Sequence, residues 1–144
     1  MICSKYPAVA TVPVTNLNEA KQFYGEKLGL NVCERSPDRG ELLYEAGQGS
    51  HILVYERPTP PKSDATAVGF LVDDLESTME ELKKQGIRFE EYDLPHVKTH
   101  EGVAENSGEK TAWFKDPDGN IIAITESDMA SRVMSGQCSA VETG

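Results

Sequence analysis

Apolar residues recur along the chain with two different spacings, and these spacings predict its secondary structure. Helical spacing follows Asn16 and again Asp74, which are residue types that cap helix starts, and each run ends at a glycine, Gly29 or Gly86. Runs rich in β-branched and aromatic residues, separated by turn residues, predict strands. These strands are expected at residues 5–14, 30–35, 41–45, 51–55, 67–72, 87–92, 110–114 and 121–125.

The predicted elements occur twice in the same order. Asn16-Leu17 corresponds to Asp74-Leu75, Leu28-Gly29-Leu30 to Gln85-Gly86-Ile87, and residues 44–49 to 114–119. Each copy is a strand, a helix and three more strands, so each sheet has one face covered by its helix. The sequence therefore predicts an α+β fold built from two βαβββ modules.

The same pattern sets the boundaries of the modules. Module 1 spans about residues 5–57, a proline-rich linker 58–65 and module 2 about 66–127, giving a single domain over 1–127. Residues 128–144 form a C-terminal tail, weakly helical around Met129 to Met134, which we expect to be frayed or to cover a partner surface. The longer loop at 93–109 of module 2 is expected to act as a lid over a trough on the face of that module's sheet that the helix leaves uncovered.

Composition narrows the possible partners. A net charge of −10 disfavours nucleic acid and anionic membranes and is mildly compatible with a cationic ligand. No apolar run approaches the roughly 18 residues that span a bilayer, and the first ten residues lack a signal-peptide pattern, so we expect a cytoplasmic protein. Cys3, Cys33 and Cys138 are too widely spaced to suggest a disulfide framework or a zinc cluster, and we expect free thiols.

Three motifs carry a family resemblance that covers residues 6–126. They are PVTNLNEAKQFYGEKLGL, FLVDDLESTMEELKKQG and FKDPDGNIIAI, the last predicting a hairpin turned by Asp116-Pro117-Asp118-Gly119-Asn120. In this order they resemble the glyoxalase / bleomycin-resistance / extradiol dioxygenase superfamily, the vicinal oxygen chelate proteins. The resemblance implies a curved, partly open mixed sheet around a cavity, and a homodimer.

The resemblance also implies four metal-ligand positions, one on the first and one on the last strand of each module. In this sequence they are occupied by Val9, Leu53, Ala67 and Ala123, whose side chains have no lone-pair donor. A register error of one residue brings in only alanine, isoleucine, valine and threonine. We therefore expect the usual metal site to be absent and no cofactor to be needed.

Strand alternation instead predicts an apolar trough with a few polar tips. Small residues leave room in it, and either Trp113 or Phe114, but not both, should line it. An ordinary closed core is the alternative for Leu53 and Leu71. The expected ligand-binding residues are Thr11, His51, Leu53, Tyr55, Gly69, Trp113 or Phe114, and Ala123, with Val9, Ala67, Leu71, Ile121 and Thr125 on the same face.

Histidines are the remaining chemical candidates. His51 is predicted either to act as an acid/base or ligand anchor, with Tyr55 as a second catalytic candidate, or to be a strand-end residue touching water. His96, His100 and Glu101 form an H-x-x-x-H-E pattern, but Pro95 argues against a helix there. A mobile loop is the expected structure of that segment, and a metal site there is the remote alternative.

These observations favour a metal-independent binding protein for a small organic molecule, possibly serving drug or metabolite sequestration. Catalysis is not expected, although a lyase, isomerase or dioxygenase of the same superfamily stays open as the alternative. A third possibility is an interaction or regulatory subunit, whose trough would be closed by side chains or by the tail.

Overall fold

The computed structural model describes residues 3–127, except for the side chains of Cys3, Glu34 and Pro37. The tail of residues 128–144, with its expected helical character, lies outside the described residues. Contacts divide the chain into two compact units. One is the chain to Ala67 with Asp116–Asn120, and the other is Val68–Lys115 with the chain from Ile121. None of the described helices is long and apolar enough to cross a membrane.

The first unit is a four-stranded sheet with one helix. Its strands are β1 (Val9–Val14), β2 (Asn31–Ser36), β3 (Glu41–Glu45) and β4 (His51–Glu56), with 3-10 turns at Cys3–Lys5, Pro37–Arg39 and Gly47–Gly49. The strand order is β1-β4-β3-β2, with β1 parallel to β4 and the other pairs antiparallel. Every second residue of β1, β3 and β4 faces the helix, which buries Val12, Val14, Leu42, Tyr44, Ile52 and Val54.

The helix of the first unit changes type along its length. It begins as α1 (Leu17–Ala20) and continues as a π-helix over Lys21–Lys27. The predicted cap is present, because the Asn16 side-chain oxygen accepts a 3.1 Å hydrogen bond from the Glu19 amide. Nothing in the hydrophobic spacing indicated the π-helical part.

The second unit repeats the strand order of the first. It contains β5 (Thr66–Val72), α2 (Leu75–Lys84), the short strands β6 (Asp93–Leu94), β7 (Val97–Lys98) and β8 (Ala104–Asn106), then β9 (Glu109–Lys115) and β10 (Ile121–Glu126). Its sheet order is β5-β10-β9-β8. In both sheets the first strand of the module pairs with the last, the last with the strand before it, and that strand with the one that precedes it in the sequence. The predicted α+β repeat is confirmed at the level of topology.

The helix of this unit has the ends expected from the sequence. Asp74 accepts a 3.2 Å hydrogen bond from the Ser77 amide, and Leu75 and Met79 are buried. At the other end Gly86 adopts φ +86, a conformation that side chains with a Cβ rarely adopt.

Two strand predictions were wrong. Residues 87–92 form no strand in the described structure, only an isolated bridge between Phe89 and Phe114, and the outer strand of the second sheet is β8. Because β8 and the β6–β7 hairpin arise from the segment expected to be a loop, that segment supplies sheet structure. The first strand begins at Val9 rather than at residue 5, after the 3-10 turn.

Candidate functional site

The helix-free face of the first sheet carries four of the predicted site residues. Thr11 lies opposite Leu53, and Val9 lies opposite His51. His51, Leu53 and Tyr55 are half-buried, whereas the residues between them, Ile52 and Val54, are in the core. The alternation therefore places Thr11, His51, Leu53 and Tyr55 on one face of the sheet.

This face offers little enclosed space. A cavity of about 80 Å³ lies over Leu53 and is bordered by Ser36, Arg39, Glu41 and Leu43. A water molecule takes about 30 Å³ of liquid volume, so the cavity is too small for a drug-sized molecule. His51 and Tyr55 do not line it.

The helix-free face of the second sheet is built around Trp113. Trp113 is half-buried and lies directly opposite Ala123 on β10. The Tyr92 ring meets the Trp113 ring edge-on, with centroids 5.5 Å apart and an interplanar angle of 87°. On the same face the hydroxyls of Thr111 and Thr125 are 3.1 Å apart. The result is an aromatic surface bordered by two hydroxyl groups.

Phe114 is the one of the two aromatic candidates that points away from the helix-free face. It is 1% exposed, lies opposite Ile122, and packs edge-on against Phe89 with centroids 5.7 Å apart. Since successive strand residues point to opposite faces, Phe114 belongs to the core beneath α2. Trp113 is therefore the aromatic residue on the helix-free face.

The remaining predicted positions on β5 are small and open. Ala67 and Gly69 are exposed, and a Cβ added at Gly69 would meet no atom within 4 Å. Ala123, by contrast, is 7% exposed and Ile121 is 6% exposed.

The residues at the four family ligand positions do not fit a metal ion. Val9, Leu53, Ala67 and Ala123 provide no oxygen, nitrogen or thiolate donor. Across residues 3–127, no three histidine, cysteine, aspartate or glutamate side chains come together in a group that could hold a metal. His96 lies in the turn between β6 and β7, and the backbone of His100 pairs with Val103 in a second turn.

A cavity of the second unit lies on the other side of the sheet. It has a volume of about 840 Å³ and is bordered by α2 and by residues 100–105. Part of the segment expected to be a lid therefore lines this helix-side cleft, and Trp113 is not among its lining residues. That the segment at 93–109 also covers the helix-free face stays a prediction.

The sequence pattern of the Glyoxalase/Bleomycin resistance protein/Dioxygenase superfamily matches residues 7–124. The chain belongs to this superfamily. The resemblance inferred from the three motifs is confirmed. Comparison with curated proteins gives no significant sequence match.

Solved structures of the superfamily share the fold at low sequence identity. A glyoxalase family protein from Bacillus anthracis has a TM-score of 0.67 at 21% identity, covering 85% of this chain and 94% of its own. TnmS3, an antibiotic binding protein from Streptomyces sp. CB03234, has a TM-score of 0.64 at 23% identity, covering 84% and 94%. The glyoxalase family protein from Enterococcus faecalis has a TM-score of 0.63 at 23% identity, covering 85% and 98%. At these identities the likeness shows the fold alone.

Sequence reasoning missed two residues beside Trp113. Thr111 shares the face of Trp113 by strand alternation, so its position was available from the sequence. Tyr92 was assigned to a strand that does not form, and no local signal indicated that its ring contacts Trp113. The acidic helix-side cleft was also not predicted.

Proposed function

We propose that the protein binds a flat, partly apolar organic molecule without a metal ion, on the helix-free face of the second sheet. The observation that carries the proposal is the placement of Trp113, the single tryptophan of the sequence, half-exposed on this face. A partly exposed indole ring offers a large apolar surface for stacking and an N–H donor. Tyr92 fixes the ring edge-on, which leaves a preorganised surface for stacking.

Small and polar neighbours support the same ligand class. Gly69 leaves open space beside the sheet, since a Cβ there would meet no atom within 4 Å. Thr111 and Thr125 can each donate or accept a hydrogen bond at the border of this surface. A ligand with an aromatic body and one or two polar groups matches this arrangement.

Binding without a metal follows from the residues at the family ligand positions. A molecule held by stacking and hydrogen bonds needs affinity alone, so loss of the metal donors costs such a protein nothing. TnmS3, which shares the fold, is described as an antibiotic binding protein. We infer drug or metabolite sequestration as the role of this chain.

The test uses the single tryptophan as a reporter. Metal-stripped protein would be titrated with planar aromatic antibiotics and dyes, and Trp113 fluorescence should be quenched saturably by at least one of them. Calorimetry on Trp113→Ala should then show about tenfold weaker binding, because a stacking partner is lost. Trp113→Phe keeps a ring and should cost about threefold or less, and Tyr6→Ala, which removes an exposed ring of the first unit, should change nothing.

Three outcomes would overturn the proposal. The first is an absence of saturable quenching across the panel, and the second is a bound ligand whose affinity is equal in Trp113→Ala. The third is conversion of the ligand to product that stops in His51→Ala or Tyr55→Phe, which would favour the enzyme alternative. A homodimer and a cytoplasmic location stay predictions, and analytical ultracentrifugation tests the first.

A further inference from the structure

The helix-side cleft of the second unit has the size of a ligand site. Its volume of about 840 Å³ lies within the roughly 300–1,000 Å³ that small-molecule sites occupy. It lies between α2 and the turn that joins His100 to Val103. Because it is on the α2 side of the sheet, it is separate from the Trp113 face.

The floor of the cleft is apolar. Leu75 and Met79 of α2 line it together with Phe89, whose ring is held against Phe114. Gly102 allows the turn to approach this floor, since a Cβ there would lie 3.3 Å from the Phe89 Cβ and 3.4 Å from the Met79 Cε. An organic group entering the cleft would therefore find apolar contacts at its base.

The rim of the cleft is strongly acidic. Seven of its lining residues carry a carboxylate, against two lysines, Lys83 and Lys110. Three of the acids stand on the α2 side and three on the side of the turn: Asp74, Glu76 and Glu80, then Glu91, Glu101 and Glu105. Such an excess of one charge along a concave surface focuses a negative potential into it.

Glu91 is a fixed part of this rim. Its Oε1 accepts hydrogen bonds from the Thr99 hydroxyl and, at 3.0 Å, from the Gly102 amide. These hydrogen bonds hold the pKa of the Glu91 carboxyl below its ordinary value. The carboxylate is therefore ionised at neutral pH and hydrogen-bonded to the turn, so its negative charge has a fixed position on the rim.

We propose that this cleft binds an organic cation that combines a positive charge with an apolar body. The charge complements the rim, and the body covers Phe89 and Val103, the half-exposed apolar residues of the lining. An organic anion would be repelled by the rim, and a bare inorganic cation would leave the apolar floor unused. The site goes beyond the function proposed for the Trp113 face and does not depend on it.

The experiment uses two dyes with the same three-ring xanthene skeleton and opposite charge, rhodamine 6G as the cation and fluorescein as the anion. Fluorescence anisotropy would measure binding to the full-length protein at low ionic strength. Rhodamine 6G should bind saturably and at least tenfold more tightly than fluorescein. Added salt should weaken its binding, because exposed charges are screened.

Variants locate the dye. The double variant Glu80→Gln with Glu101→Gln removes one carboxylate from each side of the cleft, and the affinity for rhodamine 6G should fall about threefold to tenfold. Glu81→Gln is the matched control, since Glu81 is exposed on the same helix and is not among the lining residues. Glu81→Gln should bind the dye as the unmodified protein does, and the loss of affinity caused by the double variant should be the same when Trp113→Ala is also present.

Either of two results overturns the inference. One is equal affinity of the double variant and Glu81→Gln, or no saturable binding at all. The other is loss of dye binding in Trp113→Ala with the double variant unaffected, which would place the cation on the aromatic face. Circular dichroism of each variant would show whether it is folded, so that unfolding is not mistaken for a loss of binding.

Discussion

Two turns of equal length occupy equivalent positions in the two βαβββ modules, yet their surroundings are opposite. Residues 46–50 join β3 to β4, and residues 116–120 join β9 to β10. Each turn is closed in the same way, by a hydrogen bond from its first amide to its last carbonyl, 2.8 Å in the former and 3.0 Å in the latter. The difference between them therefore lies in the side chains.

The turn at 46–50 is held mainly by its own atoms. Besides the backbone bonds, the Ser50 hydroxyl donates to the Gly47 carbonyl at 2.6 Å, and both residues are exposed. The first position of this turn is Ala46, which has no polar side chain. This turn reverses the chain.

The turn at 116–120 is an anchor within the first unit. Asp116 is 5% exposed, and its carboxylate accepts hydrogen bonds from the Tyr24 hydroxyl, the Asn120 side-chain amide and the amides of Asp118 and Asn120. The side-chain amide of Asn120 also donates to the Pro13 carbonyl. The Asp118 carboxylate accepts hydrogen bonds from the backbone amide and the hydroxyl of Thr15. The comparison shows that the D-P-D-G-N motif ties helix and strand residues of the unit together in addition to turning the chain.

The largest effect is expected from removing the centre of this anchor. Asp116→Ala leaves the Tyr24 hydroxyl, the Asn120 side chain and two backbone amides without their acceptor in a buried place. We expect the free energy of unfolding to fall by about 3 kcal/mol or more. Urea denaturation measures the change.

Ser50→Ala is the matched control from the exposed turn. It removes a side-chain hydrogen bond in contact with water, so a loss of about 0.5 kcal/mol or less is expected. Equal losses for Asp116→Ala and Ser50→Ala would show that the buried network contributes no more than the exposed turn does.

An intermediate effect should separate two buried tyrosines that differ in one hydrogen bond. Tyr24 donates to Asp116 at 2.7 Å, whereas the buried Tyr44 hydroxyl has no hydrogen-bond partner among the described residues. Tyr24→Phe should therefore lower the free energy of unfolding by about 1.5 kcal/mol. Tyr44→Phe should raise it by about 1 kcal/mol, since an unsatisfied buried group is removed. Phe114, at the corresponding position of the second module, already lacks a hydroxyl.

The loss of stability at alkaline pH gives a smaller and independent test of the Tyr24 contact. Burial, followed by the charge of Asp116, raises the pKa of Tyr24 above its ordinary value of 10.0. A raised pKa contributes stability that is complete below pH 10 and is lost as the pH rises further, because only the unfolded chain then ionises readily. Unfolding followed from pH 9 to pH 11 should show a shallower loss in Tyr24→Phe than in the unmodified protein. A steeper loss in the variant would contradict this assignment.

Local signals made much of the fold predictable. Asn16 and Asp74 cap their helices through side-chain bonds to residues three positions on, so the pattern that predicts them lies within one turn of sequence. The repeat order of the strands followed in the same way from short periodic runs. These interactions depend on near neighbours and on little else.

The rest depended on contacts that a local pattern cannot encode. Tyr24 and Asp116 are 92 residues apart, and Asn120 and Pro13 are 107 residues apart, so the burial of the D-P-D-G-N turn was not visible in the sequence. β8 pairs with residues 109–111 of β9, whereas Phe89 and Glu90 contact the same strand at Phe114 and Trp113, and no local pattern showed how the edge of β9 would be divided. For Trp113 and Phe114, a shift of one residue in register exchanges the two faces, and the pairing of β9 with β10 was needed to decide.

The central claim is that this superfamily member binds an organic ligand through Trp113 and without a metal. The most direct measurement is the dissociation constant of a ligand found by Trp113 quenching, determined in protein stripped with a chelator and again after addition of Mn²⁺, Fe²⁺, Ni²⁺ or Zn²⁺. Equal constants within about twofold are predicted, together with about tenfold weaker binding by Trp113→Ala under both conditions. A ligand that binds only after a metal is restored would contradict the account.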